Sequence, residues 1–270
     1  MIHNKLKTTL RRFPRVRDAV RSIRYIVGAG GILSPLALAW YFSDLWHVRR
    51  NGNAKFRSLV LQPCLRDRTR VTAVEPTYFY QDTWAARKIF RANPAAHVDV
   101  GSSVMTIGVI SQFVPVTMVD IRPIEVMLEG LDFREGSILG LPFDDRSVKS
   151  LSSLCVIEHI GLGRYGDSVD AFGSEKAAAE LQRVLAAGGD LYVSLPVDGE
   201  CRLYFNAHRA FTRSYILKMF ESVELVDERY QYGMEISLHY DPLKGFGTGH
   251  FHFRGREGSL VGSGETTNKG

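Results

Sequence analysis

From residue 97 onward the sequence alternates short apolar runs of β type with helical stretches, and this alternation leaves few folds open. His97-Val-Asp-Val-Gly101 is a short apolar run ending in glycine, followed by Ser102-Ser103 and a helix-like stretch from Val104. Val116-Thr-Met-Val-Asp120 is a second strand that ends in an acid, and Ser150 to Ile157 reads as a buried central strand. Gly173 to Ala187 reads as a helix with Ala177, Leu181, Val184 and Leu185 on one face, stopped by Gly188-Gly189. Asp190 to Pro196 is the next strand, and a helix is expected over Arg213–Phe220. Strands and helices at this spacing predict an α/β fold, a doubly wound and mostly parallel sheet.

Such sheets bind ligands at the carboxyl ends of their strands, where the strand order switches. The polar candidates fall there: Asp99, Gly101 and Ser102 after the first strand, Asp120 at the end of the second, Glu158 and His159 after the central one. Gly101 allows close backbone approach, and the following helix offers free N–H groups. A carboxylate at Asp120 can accept both hydroxyls of a ribose, so a nucleoside is the expected ligand. The segment Gly101-Ser-Ser-Val-Met-Thr-Ile-Gly108 has one of the three glycines of a dinucleotide fingerprint. A pyrophosphate cradle is therefore not expected, and a cofactor bound through its ribose and an amino-acid tail fits better.

These residues resemble the motifs of class I S-adenosylmethionine-dependent methyltransferases, over about residues 97–230. His97 to Ser103 resembles the first motif, and Val119-Asp120-Ile-Arg-Pro123 resembles the ribose-binding acid. Gly140-Leu-Pro-Phe-Asp-Asp145, Glu158-His159-Ile160, and Glu180-Leu-Gln-Arg-Val-Leu185 with Gly188-Gly189 follow in the family's order. Tyr78 to Lys88, Ile157 to Asp167 and Phe205 to Arg209 are similar to a branch known as a domain of unknown function, found among bacterial polysaccharide-synthesis genes. That narrower resemblance covers about residues 41–255.

The resemblance implies a Rossmann-like fold and S-adenosyl-L-methionine as cofactor, held by Asp99, Gly101, Ser102, Asp120, Ile121, Ser137 and Ile138. Two positions depart from the pattern: Ser103 replaces a glycine, and Ser137 stands where an acid commonly meets the adenine amino group. The narrower branch implies O-methylation of a sugar on a glycan or glycolipid precursor. An acceptor hydroxyl must lose a proton, and histidine is the natural base at neutral pH. His159, with Glu158 beside it, and His208 are the catalytic candidates; His159 also reads as structural, because the pair accompanies varied acceptors. Asn206, His208 and Arg209 are expected in a loop walling the acceptor pocket, or else in a solvated turn. Gly161 to Ser168 reads as a lid, with Tyr165 and Asp167 as substrate contacts. No metal is expected: Glu158-His159 lacks a third ligand, and an exposed strand edge accounts for His250 and His252, with His239 nearby.

Charge separates the ends from the middle. The chain has 270 residues and a formal charge of +5, and 45% of its residues are hydrophobic, too many for a disordered chain. Residues 1–24 hold eight Lys or Arg against one acid, Asp18, while the remainder has 26 basic and 28 acidic side chains. A DNA-coating body is disfavoured and no nucleic-acid partner is expected. An uncharged stretch from Tyr25 to Phe42 follows the basic arm. It reads as a packed helical subdomain, a peripheral membrane contact or a short span, and only weakly as a cleaved signal. Three cysteines without a CxxC pair exclude a disulfide scaffold. The expected organisation is an arm and helical extension over 1–75, a methyltransferase domain over 76–257 and a loose tail over 258–270, in the cytoplasm or at the inner membrane face. Two further readings stay open: a non-catalytic methyltransferase-like binding module, and a methyltransferase of nucleic acid or small metabolites. The oligomeric state is not legible.

Overall fold

The computed structural model describes residues 35–257 except Ala54, Arg57 and Arg66. The basic run of residues 1–24, the start of the uncharged stretch and the tail over 258–270 lie outside the described residues. The chain divides into two compact units at Ala73/Val74. In the first, helix α1 (Pro35–Asn51) starts on a proline, has no buried residue and ends on Arg49 and Arg50. Arg68 pairs with Asp44 at 3.5 Å and lies over the Trp40 ring. Among the described residues no helix is long and apolar enough to cross a membrane.

The second unit opens with α2 (Pro76–Ala92). The Glu75 carboxylate accepts the Tyr78 N–H at 2.7 Å and Pro76 takes the first turn, while Asn93, left-handed at φ 47°, ends the helix. Alternation then builds β1 (His97–Val100), α3 (Val104–Ile110), β2 (Val116–Asp120), β3 (Leu131–Glu135), β4 (Val148–Leu154), α4 (Gly173–Val184) and β5 (Leu185–Val197). A hairpin of β6 (Arg202–Tyr204) and β7 (His208–Ala210) follows. Next come α5 (Arg213–Met219), β8 (Val223–Tyr232), β9 (Glu235–Ser237) and β10 (Gly247–Gly255).

Eight strands form one sheet in the order β3-β2-β1-β4-β5-β10-β8-β9. The first five run parallel; β10 pairs antiparallel with both β5 and β8. The expected doubly wound, mostly parallel sheet with an N-terminal helical extension is what the chain forms. One face buries Ala177, Leu181 and Val184 of α4 on Leu191, Val193 and Phe251; the other buries Trp84 and Ile89 of α2 with Ile107 and Ile110 of α3. The strand order reverses between β1 and β4, which places a crevice at their carboxyl ends.

Three local expectations are corrected. Helix α4 stops at Val184, not at the glycine pair: Leu185 is extended and pairs with Val148, so burial of Leu185 in the sheet overrides helix continuation. Gly188, at φ 67°, instead turns a bulge before Asp190 rejoins β4 at Ser150. The central strand ends at Leu154, because Cys155 is left-handed at φ 54°. His250 and His252 do not lie on an exposed edge: β10 is an interior strand and both side chains are buried.

Candidate functional site

Four strand ends and one loop line an open cleft at the point where the strand order reverses. Gly101 forms its floor after β1, at φ 72°; its N–H is held by the Val119 carbonyl, and a Cβ there would lie 2.9 Å from Val156 Cγ1. This is close approach that only glycine permits. Asp120 ends β2 with its side chain mostly covered. Its Oδ1 accepts the Arg122 N–H at 2.8 Å and contacts Arg122 Nε at 3.4 Å, so the turn after β2 fixes the carboxylate and leaves Oδ2 to face a ligand. Ile121, Ser137 and Ile138 also line the cleft. Ser137 Oγ accepts the Leu139 N–H at 3.1 Å, a turn that retains the hydroxyl proton for donation.

Residues after β4 supply the opposite wall. Glu158 and His159 sit on one 3-10 turn, Ile157–His159. The His159 Nδ1–H donates to the Ala207 carbonyl at 2.6 Å, which leaves the lone pair on Nε2. Burial lowers His159 to about 4, so the imidazole is neutral at physiological pH. Glu158 lies behind it, 3.8 Å from Nε2 through Oε1, and is fully covered. Burial pushes its carboxyl up to about 8, which keeps it protonated, and its Oε2 has no hydrogen-bond partner.

The loop 161–168 closes the mouth. Gly161, Gly163 and Gly166 all have positive φ, and Asp167 gathers the Gly161 and Tyr165 N–H groups. Against the opposing effect of burial, those backbone donors hold the Asp167 carboxyl below the usual range. The Tyr165 ring carries the Arg122 guanidinium at 4.8 Å and that of Arg164 at 5.1 Å, with the His159 ring 5.7 Å away.

The structure thus brings Gly101, Asp120, Ile121, Ser137, Ile138, His159, Tyr165 and Asp167 to one cleft, and places six other candidates elsewhere. Asp99 and Ser102 are buried behind the Gly101 turn, bonded to each other. Glu158 backs His159. His208 lies beyond the cleft wall, on β7 rather than in a loop, with its ring 6.3 Å from that of His159. Asn206, exposed at φ 59°, turns the β6–β7 hairpin. Arg209 spends its guanidinium on the carbonyls of Ile160 and Asp170 and on Ser174 Oγ, at 2.6–3.1 Å, and so braces the lid from below. Sequence reasoning missed Arg122, Cys155 and Val156 on the wall. Arg122 was findable, two residues after the ribose acid; Cys155 and Val156 carry no polar signal. Among the described residues no group of three metal-ligating side chains occurs.

The donor set fits a nucleoside cofactor: a glycine cradle and a carboxylate oxygen for a diol, with the Arg122 and Arg164 guanidiniums held on the Tyr165 ring at the mouth. Among known proteins, a family described as Caenorhabditis protein of unknown function, DUF268, matches residues 145–241, just over a third of the chain. No curated protein matches. The N-methyltransferase NodS from Bradyrhizobium japonicum WM9 superposes with a TM-score of 0.50 at 14% identity, covering 68% of this chain and 98% of that one. The [4+2]-cyclase SpnF gives 0.49 at 14% identity, over 66% and 82%. The 1,6-didemethyltoxoflavin-N1-methyltransferase of Burkholderia thailandensis gives 0.45 at 16%, over 70% and 94%. Strand order, layers and superposition agree: this chain has the Rossmann-like fold of class I methyltransferases.

Proposed function

We propose that the protein is an S-adenosylmethionine-dependent methyltransferase that O-methylates a sugar hydroxyl of a glycan or glycolipid precursor. The observation that carries this reading is the neutral, tautomer-fixed His159 in the same cleft as the diol-accepting Asp120. Gly101, Asp120, Ile121, Ser137 and Ile138 hold the cofactor, which when bound supplies a methyl group on a sulfonium. His159 receives the acceptor hydroxyl's proton at Nε2, and the methyl group would pass to that oxygen as its bond to the sulfonium sulfur breaks, leaving a neutral thioether. The Ala207 carbonyl keeps the ring in the tautomer able to do so, and Glu158, neutral behind it, adds no competing charge. Tyr165 offers a ring face at the mouth, where a sugar can lie.

Calorimetry with S-adenosylhomocysteine tests the foundation, and absence of binding overturns the reading. Mass spectrometry of host surface glycans, with and without the gene, tests the acceptor. A mass difference of one methyl group is expected; unchanged glycans overturn the acceptor class. Phe42 and Trp46 are exposed on α1, and Arg49 and Arg50 end it, which supports contact with an anionic membrane at the cytoplasmic face. The full chain is expected to float with phosphatidylglycerol vesicles and not with phosphatidylcholine vesicles; equal behaviour with both counts against this placement.

A further inference from the structure

The buried polar residues beneath the cleft form a chain that the mechanism above does not use. Ser150 Oγ lies 2.8 Å from His97 Nδ1, and His97 Nε2 lies 2.9 Å from Ser152 Oγ. Ser152 Oγ donates to Asp99 Oδ2 at 2.5 Å. From the other side, Ser102 gives Asp99 its Oγ–H at 2.6 Å and its N–H at 3.0 Å, and Ser102 Oγ accepts the Leu154 N–H at 2.9 Å. His97, Asp99, Ser102, Ser150 and Ser152 are each no more than 5% exposed.

Proton counting fixes the direction of every link. Asp99 is ionised at neutral pH, its carboxyl raised by burial only to about 6, so it accepts and does not donate. The single Ser152 proton therefore goes to Asp99, and Ser152 must accept from His97 Nε2–H. Burial lowers His97 to about 3, so the ring is neutral with one N–H, and Nδ1 accepts from Ser150. Donors thus converge on Asp99 from both ends, and each group in the chain is satisfied. Burying a histidine, a carboxylate and three hydroxyls is costly where apolar residues would pack. What the chain holds is specific: the Gly101–Ser103 turn through Ser102, and the end of β4 through the Leu154 N–H, immediately before Cys155 and Val156 on the cleft wall.

We infer that His97 and Ser152 are positioning residues for cofactor binding, acting through Asp99 and Ser102 to hold the two strand ends that form the cleft floor. This deepens the methyltransferase reading and rests on it for the identity of the ligand. Ser152→Ala removes the middle link without touching the cleft. Ser194→Ala is the control: an equally buried hydroxyl on the neighbouring strand β5, bonded to His250 Nδ1, outside the chain and outside the cleft lining.

Calorimetry with S-adenosylhomocysteine is expected to show Kd raised about tenfold in Ser152→Ala, the effect of losing one hydrogen bond to a charged group. Ser194→Ala should change it less than about twofold, and Ser150→Ala, one link further out, should fall between. Equal Kd in wild type and Ser152→Ala, or an equal loss in the control, overturns the inference. Failure of the wild type to bind overturns the methyltransferase reading instead. Hydrogen exchange in the unliganded protein then still decides: faster exchange at the Ser102 and Leu154 amides in Ser152→Ala but not in Ser194→Ala supports the positioning role. Unchanged exchange sinks it. If Ser152→Ala does not fold, Ser150→Ala carries both measurements, with loss of affinity and faster exchange expected and wild-type values overturning the inference.

Discussion

At the scale of single residues, the cleft separates binding from chemistry, so the two are separable by substitution. Asp120 is anchored by the turn that follows it and has no part in proton transfer. Asp120→Ala is expected to weaken S-adenosylhomocysteine about tenfold or more, as loss of hydrogen bonds to a charged acceptor does. In the proposed reaction His159 is the group that meets the acceptor. His159→Gln should leave that affinity within about twofold while lowering kcat by about 10²–10⁴, the usual worth of a general base. The pH profile gives a sharper check. A neutral imidazole lowered to about 4 keeps the base available well below its ordinary 6.5, so activity should show no acid limb near 6.5. On the alkaline side Glu158 loses its proton near 8 and puts a negative charge 3.8 Å from Nε2. A change in kcat/KM near pH 8 is expected in the wild type and absent in Glu158→Gln. An acid limb at the ordinary histidine value, lost in His159→Gln, would show that burial does not lower this imidazole. The same limb surviving in His159→Gln would show that His159 is not the base.

Elements explain which of these features the sequence exposed. Four of the five parallel strands were legible as short apolar runs, and Val100-Gly101, Val119-Asp120 and Leu154-Cys155 mark the ends that build the cleft; β3 was not, because Asp132, Arg134 and Glu135 leave it no apolar run. Local patterns failed where tertiary partners decide. Val184-Leu185 continues a helical face in sequence, yet pairing with Val148 draws Leu185 into β5. His250 and His252 alternate as edge residues do, yet β10 lies between β5 and β8, and their ring nitrogens meet Ser194 and Asp190. Asn206 and Arg209 looked like ligand groups because their types are polar; only the hairpin shows that one turns the chain and the other spends its donors on the lid. That assignment predicts an element-level effect. In Arg209→Ala the Ile160 carbonyl loses its partner, at about 1–3 kcal/mol where no water replaces it, while the Asp170 carbonyl keeps the Gly173 N–H. The glycine-rich loop 161–168 should then be cut faster by a nonspecific protease, while calorimetry shows cofactor affinity little changed. A loop as resistant as in the wild type would return Arg209 to the acceptor wall.

Across the whole molecule, buried titratable groups sit on both halves of the sheet and pull stability in opposite directions with pH. His97, His159 and His250 are neutral in the fold, lowered by burial from 6.5 to about 3, 4 and 3. Unfolded, they bind protons below 6.5, so their contribution is present above that value and lost as pH falls from 6.5 towards 3. Glu158 and Asp99 behave in the reverse sense, raised by burial to about 8 from 4.5 and to about 6 from 3.8. Their unfolded forms release protons first, so stability drains as pH rises towards each folded value. From about 4.5 to 6 three histidines outweigh two carboxyls, so stability rises gently with pH there. Above 6.5 the histidines are neutral in both states and Glu158 alone acts, so unfolding free energy should fall by about 1.4 kcal/mol per pH unit until about 8. Below 3.8 the acids have finished titrating and the histidines dominate, so the fold should fail there. Urea unfolding at a series of pH values reads this directly. Glu158→Gln is expected to flatten the slope above 6.5, with an advantage over wild type that grows as pH approaches 8. His250→Gln should leave that slope unchanged and soften the acid side instead. A wild-type curve still rising between 6.5 and 8 would mean that Glu158 is ionised in the folded protein, and with it the neutral setting assigned to His159 would go.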